Sequence, residues 1–343
     1  MAASPTVQLN KDPGRKHMQT NIKDVAKHAG VSVTTVSRVL NESGYVSRKT
    51  RECVMRAMDE LNYRPNEVAR SLYSKRSHLI GLIIPTISHP FFAQLTQYIE
   101  YYTFAKGYKL ILCNSLMEKE KEREYVDMSR RHQVDGIIMG SHTLDVSNFA
   151  SSDFPVVTLD RQISEKIPFV SSDNYAGGML AAEHLIQKGC RFLVHISGNL
   201  QLSMLSNKRY DGFRDACEQE KVPFRLYQTD TNALEKENYQ KVIKRVFSEC
   251  PEADGVFASS DVIAAEVIRY CLQNGRRIPE DVKVVGYDDT SLARYTNPQI
   301  TTISQPIESI AKYAVDYLIA QIAGEVVPAH TILNVELQKR ETT

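Results

Sequence analysis

No stretch of the chain comes near the roughly 20 consecutive apolar residues that a membrane span requires. Residues 1 to about 17 are polar, hold two prolines and lack an apolar run, so they read as a disordered leader and not as a signal peptide. The cysteines Cys53, Cys113, Cys190, Cys217, Cys250 and Cys271 form no C-x-x-C pair and have no histidine at metal spacing. Five lie inside apolar helix or strand patterns, so buried free thiols of a reduced cytoplasm are expected, not disulfides or zinc. Also missing are a Gly-x-Gly-x-x-Gly after the first strand, a Walker lysine motif, a Gly-x-Ser-x-Gly elbow and a His-Glu-x-x-His pair. These absences argue against an enzyme, and no cofactor or metal is expected.

What is present is concentrated between Thr20 and Tyr73. Ile22, Val25, Ala26 and Ala29 repeat at helical spacing up to Gly30, a residue suited to the positive backbone angle of a helix stop. Ser32 can cap a second helix in which Val36, Val39 and Leu40 point inward. Thr34, Ser37, Arg38 and Asn41 are then left on another face, small and polar enough to reach base edges. Two short helices across so tight a turn make a helix-turn-helix. A third, from Ser47 to Leu61 with Val54, Ala57, Met58 and Leu61 as its stripe, closes a miniature core. After Tyr63-Arg-Pro65 a short helix begins at Asn66, with Val68, Ala69 and Leu72 on one face; it is marginal alone and needs a partner to hold it.

Charge points the same way. Between Arg15 and Arg76 thirteen Lys/Arg face six Asp/Glu, a net of +7, whereas residues 77–343 carry −6 and the whole chain +1. A basic head on a mildly acidic body is the electrostatic footprint of phosphate binding.

Asp24-Val-Ala-Lys-His-Ala-Gly-Val-Ser32, Thr35-Val-Ser-Arg-Val-Leu-Asn41, Leu61-Asn-Tyr-Arg-Pro-Asn66 and Ala69-Arg-Ser-Leu72 resemble the head and hinge of the lactose/galactose repressor family. The resemblance implies that Val33, Thr34 and Arg38 read the major groove and that Leu72 levers open the minor groove. Ser32, Ser37, Asn41 and Ala69 complete the implied DNA-contacting set. It also implies a cytoplasmic homodimer on double-stranded operator DNA, one recognition helix per half-site, with part of the dimer seam near Phe92 to Tyr102.

From Ser77 strand and helix signals alternate, which predicts parallel sheets wrapped by helices. Strands are expected at 79–84, 109–113, 136–139, 155–159, 192–196, 255–258, 282–287 and 331–335. One sheet would need too many strands, so two lobes are expected with a break near Ser171-Ser-Asp-Asn174. The expected fold is α/β: a leader at 1–17, a three-helix helix-turn-helix head at 18–64, a hinge helix at 65–76 and a two-lobed core at 77–343. Lobe 1 is assigned about 77–172 plus 306–328, and lobe 2 about 173–303 plus 329–343. The resemblance agrees, because that family's core shares its fold with periplasmic sugar receptors and closes on a small ligand.

Ligands of open parallel sheets sit at the carboxyl ends of the strands. Phe91 and Phe92 are there, as core residues or as a stacking platform for a sugar face. Asp160-Arg161 is either a surface pair worth under about 1 kcal/mol or a hydroxyl-recognising pair. Arg209, Asp288 and Gln305 match the resembled family's cleft residues; Ser260 follows a strand end where that family often carries asparagine, while Asp261 can serve merely as a helix cap. Two carboxylates, two arginines and an aromatic pair suit a polyhydroxylated ligand. The stretches 136–142, 160–161 and 171–174 look most like regulators of sucrose or ribose operons. The reading is a repressor whose operator affinity responds to a small sugar or sugar phosphate. The alternatives are a sugar receptor without DNA function and a purine-type regulator that needs a co-repressor.

Overall fold

The computed structural model describes residues 20–41, 43–64, 76–131, 134–141, 154–201, 203–229 and 236–343. The leader and the hinge-helix segment, with Ala69 and Leu72, lie outside the described residues. The chain divides into two compact units, Met1–Ser77 and His78–Thr343.

In the first unit, α1 (Ile22–Ala29), α2 (Val33–Leu40) and α3 (Arg48–Glu60) surround Val25, Val36, Val39, Val54, Ala57 and Met58. Each boundary has a local cause. Asn21 and Asp24 form a reciprocal capping box on α1, and Gly30 ends that helix in the left-handed region at φ 64°. Ser32 Oγ accepts from Thr35 N (3.1 Å) to start α2, and Ser47 Oγ from Thr50 N (3.2 Å) to start α3. Leu40, expected inside, is only half-buried at the edge of this core.

The second unit contains two six-stranded sheets. The first has β1 (Leu79–Ile84), β2 (Lys109–Asn114), β3 (Gly136–Met139), β4 (Val156–Leu159), β5 (Phe169–Ser172) and β11 (His330–Leu333), in the order β11-β5-β4-β3-β1-β2 and all parallel. The second has β6 (Leu193–Ser197), β7 (Phe224–Gln228), β8 (Gly255–Ala258), β9 (Lys283–Asp288), β10 (Thr301–Ser304) and β12 (Glu336–Gln338), ordered β12-β10-β9-β8-β6-β7. Only its β10–β12 pair is antiparallel. Central strands are apolar and buried on both faces, as parallel strands covered by helices must be. The covering helices are α4 (Pro90–Ala105), α5 (Lys119–Arg131), α6 (Asn174–Gln187), α7 (Lys208–Gln219), α8 (Lys236–Glu249), α9 (Asp261–Gln273), the short α10 (Ser291–Tyr295) and α11 (Ile307–Ile322). A core cluster lies on each side of each sheet.

The chain crosses between the sheets after Ser172, after Ser304 and after Leu333. The last crossing corrects the expected return at 329: β11 pairs with β5 in the first sheet, and only β12 belongs to the second. The crossings are bonded to one another. Asp173 N donates to Leu333 O (2.7 Å), and Ser172 Oγ to Gln305 Oε1 (2.6 Å). No helix among the described residues is long and apolar enough to cross a membrane, and no acid, histidine or cysteine group among them could hold a metal ion.

Candidate functional site

The head presents one unshielded face. On α2, Val36 and Val39 are buried, while Ser32, Val33, Thr34, Arg38 and Asn41 are exposed and Ser37 is half-buried. Three members of the expected set are occupied locally. Ser32 caps the helix, and Asn41 Nδ2 donates to Ser37 Oγ (3.2 Å). Val33, Thr34 and Arg38 are left, and among the described residues neither Thr34 nor Arg38 uses its side chain in a hydrogen bond. The head's acids are largely engaged within it: Asp24 in the capping box, Glu52 with Arg48 (2.9 Å) and Glu60 with His28 (2.6 Å). Among the described residues of α1 to α3, most of the cations therefore face solvent without an ion pair in the head. Tyr45, 92% exposed after the turn at Gly44, was not singled out from sequence.

The body holds a cavity of about 220 Å³, partly open to solvent, where the strands of both sheets end. Its wall draws on the residue at or just past nearly every strand: Phe91 and Phe92 beyond β1, Gly140 after β3, Asp160 after β4, Ser171–Ser172 in β5, Ser197–Asn199 at β6, Thr229 after β7, Ser259–Ser260 after β8, Asp288 ending β9 and Gln305 after β10. A carboxyl-end crevice is what doubly wound sheets provide.

Arg209 and two acids organise this wall. From the second residue of α7, the Arg209 guanidinium lies 3.6 Å over the Tyr287 ring, and its Nε donates to Asn174 Oδ1 (2.7 Å) and its Nη1 to Ser259 O (2.8 Å). Among the described residues its Nη2 bonds nothing. The backbone allows this because α6 and α7 touch through glycines: a Cβ on Gly178 would lie 2.0 Å from Arg209 O, and one on Gly212 2.0 Å from Tyr175 O. Asp160, held at φ 54°, accepts from Ser171 Oγ (2.7 Å) and Asn174 Nδ2 (2.7 Å), and also from Ser206. Asp288 accepts from Gln305 Nε2 (2.7 Å), while Gln305 Oε1 is held by Ser172. Gln305 thus ties the cavity floor to the first crossing.

Burial sets the titration of these groups. It pushes Asp288 well above the carboxylate range against the pull of Arg209, and the Asp261 charge adds to the rise. Burial raises Asp160 too, although Arg209 and three hydrogen bonds oppose it. His89 is held down to about 4, first by burial and then by Arg209. It caps α4 through Nδ1, which accepts from Phe91 N (3.3 Å).

The structure brings Phe91, Phe92, Asp160, Arg209, Ser260, Asp288 and Gln305 to one cavity, but not Arg161. The left-handed turn at Asp160 sends the two neighbours apart, and Thr158 Oγ1 pins the Arg161 carbonyl (2.6 Å). Phe91 and Phe92 meet edge to face at 5.1 Å and pack on the first lobe's core while lining the cavity. Ser260 lines the wall and also caps α9, its Oγ accepting from Ile263 N (3.3 Å). Asp261 is a buried strut: its carboxylate accepts from Thr290 N (2.8 Å), Thr290 Oγ1 (3.0 Å) and Thr302 Oγ1 (2.6 Å), and burial raises it to about 6. Sequence reasoning missed Asn174, Asn199, Ser206, Asn207 and Tyr239. Asn199 was accessible to the strand-end rule; Tyr239, inside α8, gave no signal.

Comparison with known proteins agrees with this layout. Residues 21–66 match the family described as bacterial regulatory proteins, lacI family, and residues 182–343 a periplasmic binding protein-like domain. The chain is 42% identical over 325 residues to a ribose operon repressor of Halalkalibacterium halodurans, covering 94% of this chain and 97% of that protein. Among solved structures, it is similar to a periplasmic binding protein/LacI transcriptional regulator from Alkaliphilus metalliredigens complexed with D-xylulofuranose, with 36% identity, TM-score 0.71, 78% of this chain and 99% of that one. It is also similar to the lac repressor dimer bound to operator and an anti-inducer, with 28% identity, TM-score 0.83, 94% of this chain and 98% of that one.

Proposed function

The chain belongs to the lacI family of bacterial regulatory proteins, as a DNA-binding transcription regulator and not an enzyme, and we propose that it represses a carbohydrate-utilisation operon under the control of a sugar held by Asp160, Arg209 and Asp288. The observation that carries this reading is the pairing of an unshielded α2 face, on a head of net +7, with a hydroxyl-matched cavity in a body of net −6.

On the duplex, α2 enters the major groove. Arg38 offers a bidentate donor pair to a guanine edge and Thr34 a short hydroxyl, while Val33 makes apolar contact with a thymine methyl. The surrounding lysines and arginines neutralise phosphates and set the salt dependence. Ala69 and Leu72 are proposed minor-groove contacts. The regulator works as a homodimer, because one head reads too few bases and two-fold symmetry doubles the contact. The lac repressor dimer on its operator supports this arrangement, as do Tyr101 and Phe104, 62% and 73% exposed on α4. Its place of action is the cytoplasm.

Sugar binding swings the two sheets about the three crossings and lowers operator affinity by a coupling of about 1–3 kcal/mol. Hydroxyls donate to the two carboxylates and accept from Arg209 Nη2, and the apolar face of the ring rests on the Phe91–Phe92 pair. Mobility-shift titration at several salt concentrations, with and without sugar, tests the proposal. Binding without sequence preference, or without a salt slope, contradicts it.

A further inference from the structure

The class of sugar follows from the charge on the cavity wall, an argument that rests on the effector-site reading above. The described lining has two carboxylates, Asp160 and Asp288, and one cation, Arg209; its other polar groups, such as Ser197, Asn199 and Ser206, are neutral or, for His89, held uncharged by burial. Arg209 is largely committed, with Nε on Asn174, Nη1 on Ser259 O and its face on Tyr287. One terminal nitrogen remains as uncommitted cationic donor in the described lining, too little positive charge for a phosphate ester carrying about −1.5 to −2 charges near pH 7.

Helix N-termini, the other usual anchor for phosphate, are closed here. The first turn of α4 is capped by His89 Nδ1 and that of α9 by Ser260 Oγ, while Asp261 and Asp211 place carboxylates in the first turns of α9 and α7. Burial drives Asp160 and Asp288 upward even beside Arg209, so the wall already disfavours the negative charge it holds. Size narrows the choice further: about 220 Å³ is one ring's worth of space, below the roughly 300–1,000 Å³ of drug-sized ligand pockets.

We propose that the effector is a neutral, unphosphorylated monosaccharide, and that the cavity rejects sugar phosphates by charge and disaccharides by size. Titration calorimetry on the full chain tests this with D-ribose, D-xylulose, D-fructose and D-glucose, their phosphate esters, sucrose, and inorganic phosphate. At least one neutral monosaccharide binds, its ester binds roughly 100-fold more weakly or worse, and sucrose and inorganic phosphate give no heat. Asn199→Lys adds a cation to the lining and narrows the gap between sugar and ester by roughly tenfold; an unchanged gap overturns the charge argument. An ester or disaccharide that binds as tightly as the parent sugar overturns the inference and leaves the effector site standing. Silence from every member of the panel overturns the effector-site reading itself, and the inference with it.

Discussion

Gly178→Ala tests whether the α6–α7 contact is what places Arg209. The added Cβ would meet Arg209 O at 2.0 Å, against the 3.4–4 Å of ordinary contact, so the helices must part by more than 1 Å. Overpacking of this kind costs about 1–3 kcal/mol. Dragging Arg209 off Asn174 and Ser259 O adds part of two charge-assisted hydrogen bonds, each worth about 1.5–3 kcal/mol. A loss of about 3 kcal/mol is therefore expected, a fall in Tm of roughly 6–12 °C by the usual scaling for domains of this size. Sugar affinity drops by roughly tenfold or more through the misplaced guanidinium. Operator binding without sugar holds, because the head has its own core. The control for stability alone is Gly198→Ala, a cavity-lining position whose methyl meets nothing within 4 Å. A Gly→Ala change of that kind stabilises by about 0.4–1 kcal/mol through the unfolded chain, so the two variants should move in opposite directions. Differential scanning calorimetry and sugar titration read both quantities; a Gly178→Ala protein that melts and binds like the parent refutes the placement argument.

Asp288→Ala abolishes the sugar response while operator affinity without sugar stays within about twofold; mobility shifts across a sugar series check this, and a normal response removes Asp288 from the site. Arg38→Ala weakens specific operator binding by about 1–3 kcal/mol with little effect on nonspecific binding or on Tm; equal losses on both kinds of DNA would place Arg38 on phosphate. His195 is fully buried, its Nδ1 paired with Phe257 O (3.0 Å) and its ring stacked on Phe257, and burial holds its pKa down to about 3. The unfolded chain takes up that proton from about pH 6.5 while the folded one does not, so stability drains as pH falls through this window, by about 2 kcal/mol at pH 5. His195→Phe removes that part of the slope: denaturant midpoints at pH 7 and pH 5 should converge relative to the parent, and an unchanged difference assigns the acid sensitivity elsewhere.

How much of this was legible in the sequence depended on whether local chemistry or tertiary partners decided each element. The head was readable because its boundaries are set by caps a few residues long: Ser32, Ser47 and Gly30 act on their own neighbours. The apolar strands β1, β3 and β8 were found at their observed ends. β5, β7, β10 and β12 were missed. β10 is Thr-Thr-Ile-Ser, polar in composition yet buried, because Thr302 donates to Asp261 and Thr301 pairs with Thr343 (2.9 Å), partners about 40 residues away in sequence. β5 ends in Ser171-Ser172, serines present for the cavity and the crossing, not for the sheet. Gln305 follows the missed β10 and came from the family resemblance; the strand-end rule reached Asp160, Ser260 and Asp288 because it depends on topology alone. It erred at Arg161, since adjacency in sequence says nothing about a backbone that turns left-handed between two residues. Tyr239 enters from a helix, where no such rule applies, and Asn174, also helical, acts from behind the wall on Asp160 and Arg209.

The three stitched crossings limit what the body can do with a bound sugar. Two sheets tethered by one strand of chain could swivel or slip past each other in many ways; pinned three times along one line, with Ser172 bonded to Gln305 and Asp173 to Leu333, they keep a single soft rotation, like a door on its pins. A ligand anywhere in the cavity, whichever hydroxyls it presents, can therefore be reported outward only as an angle. That common output frees the wall residues to change with the sugar while the gearing stays the same.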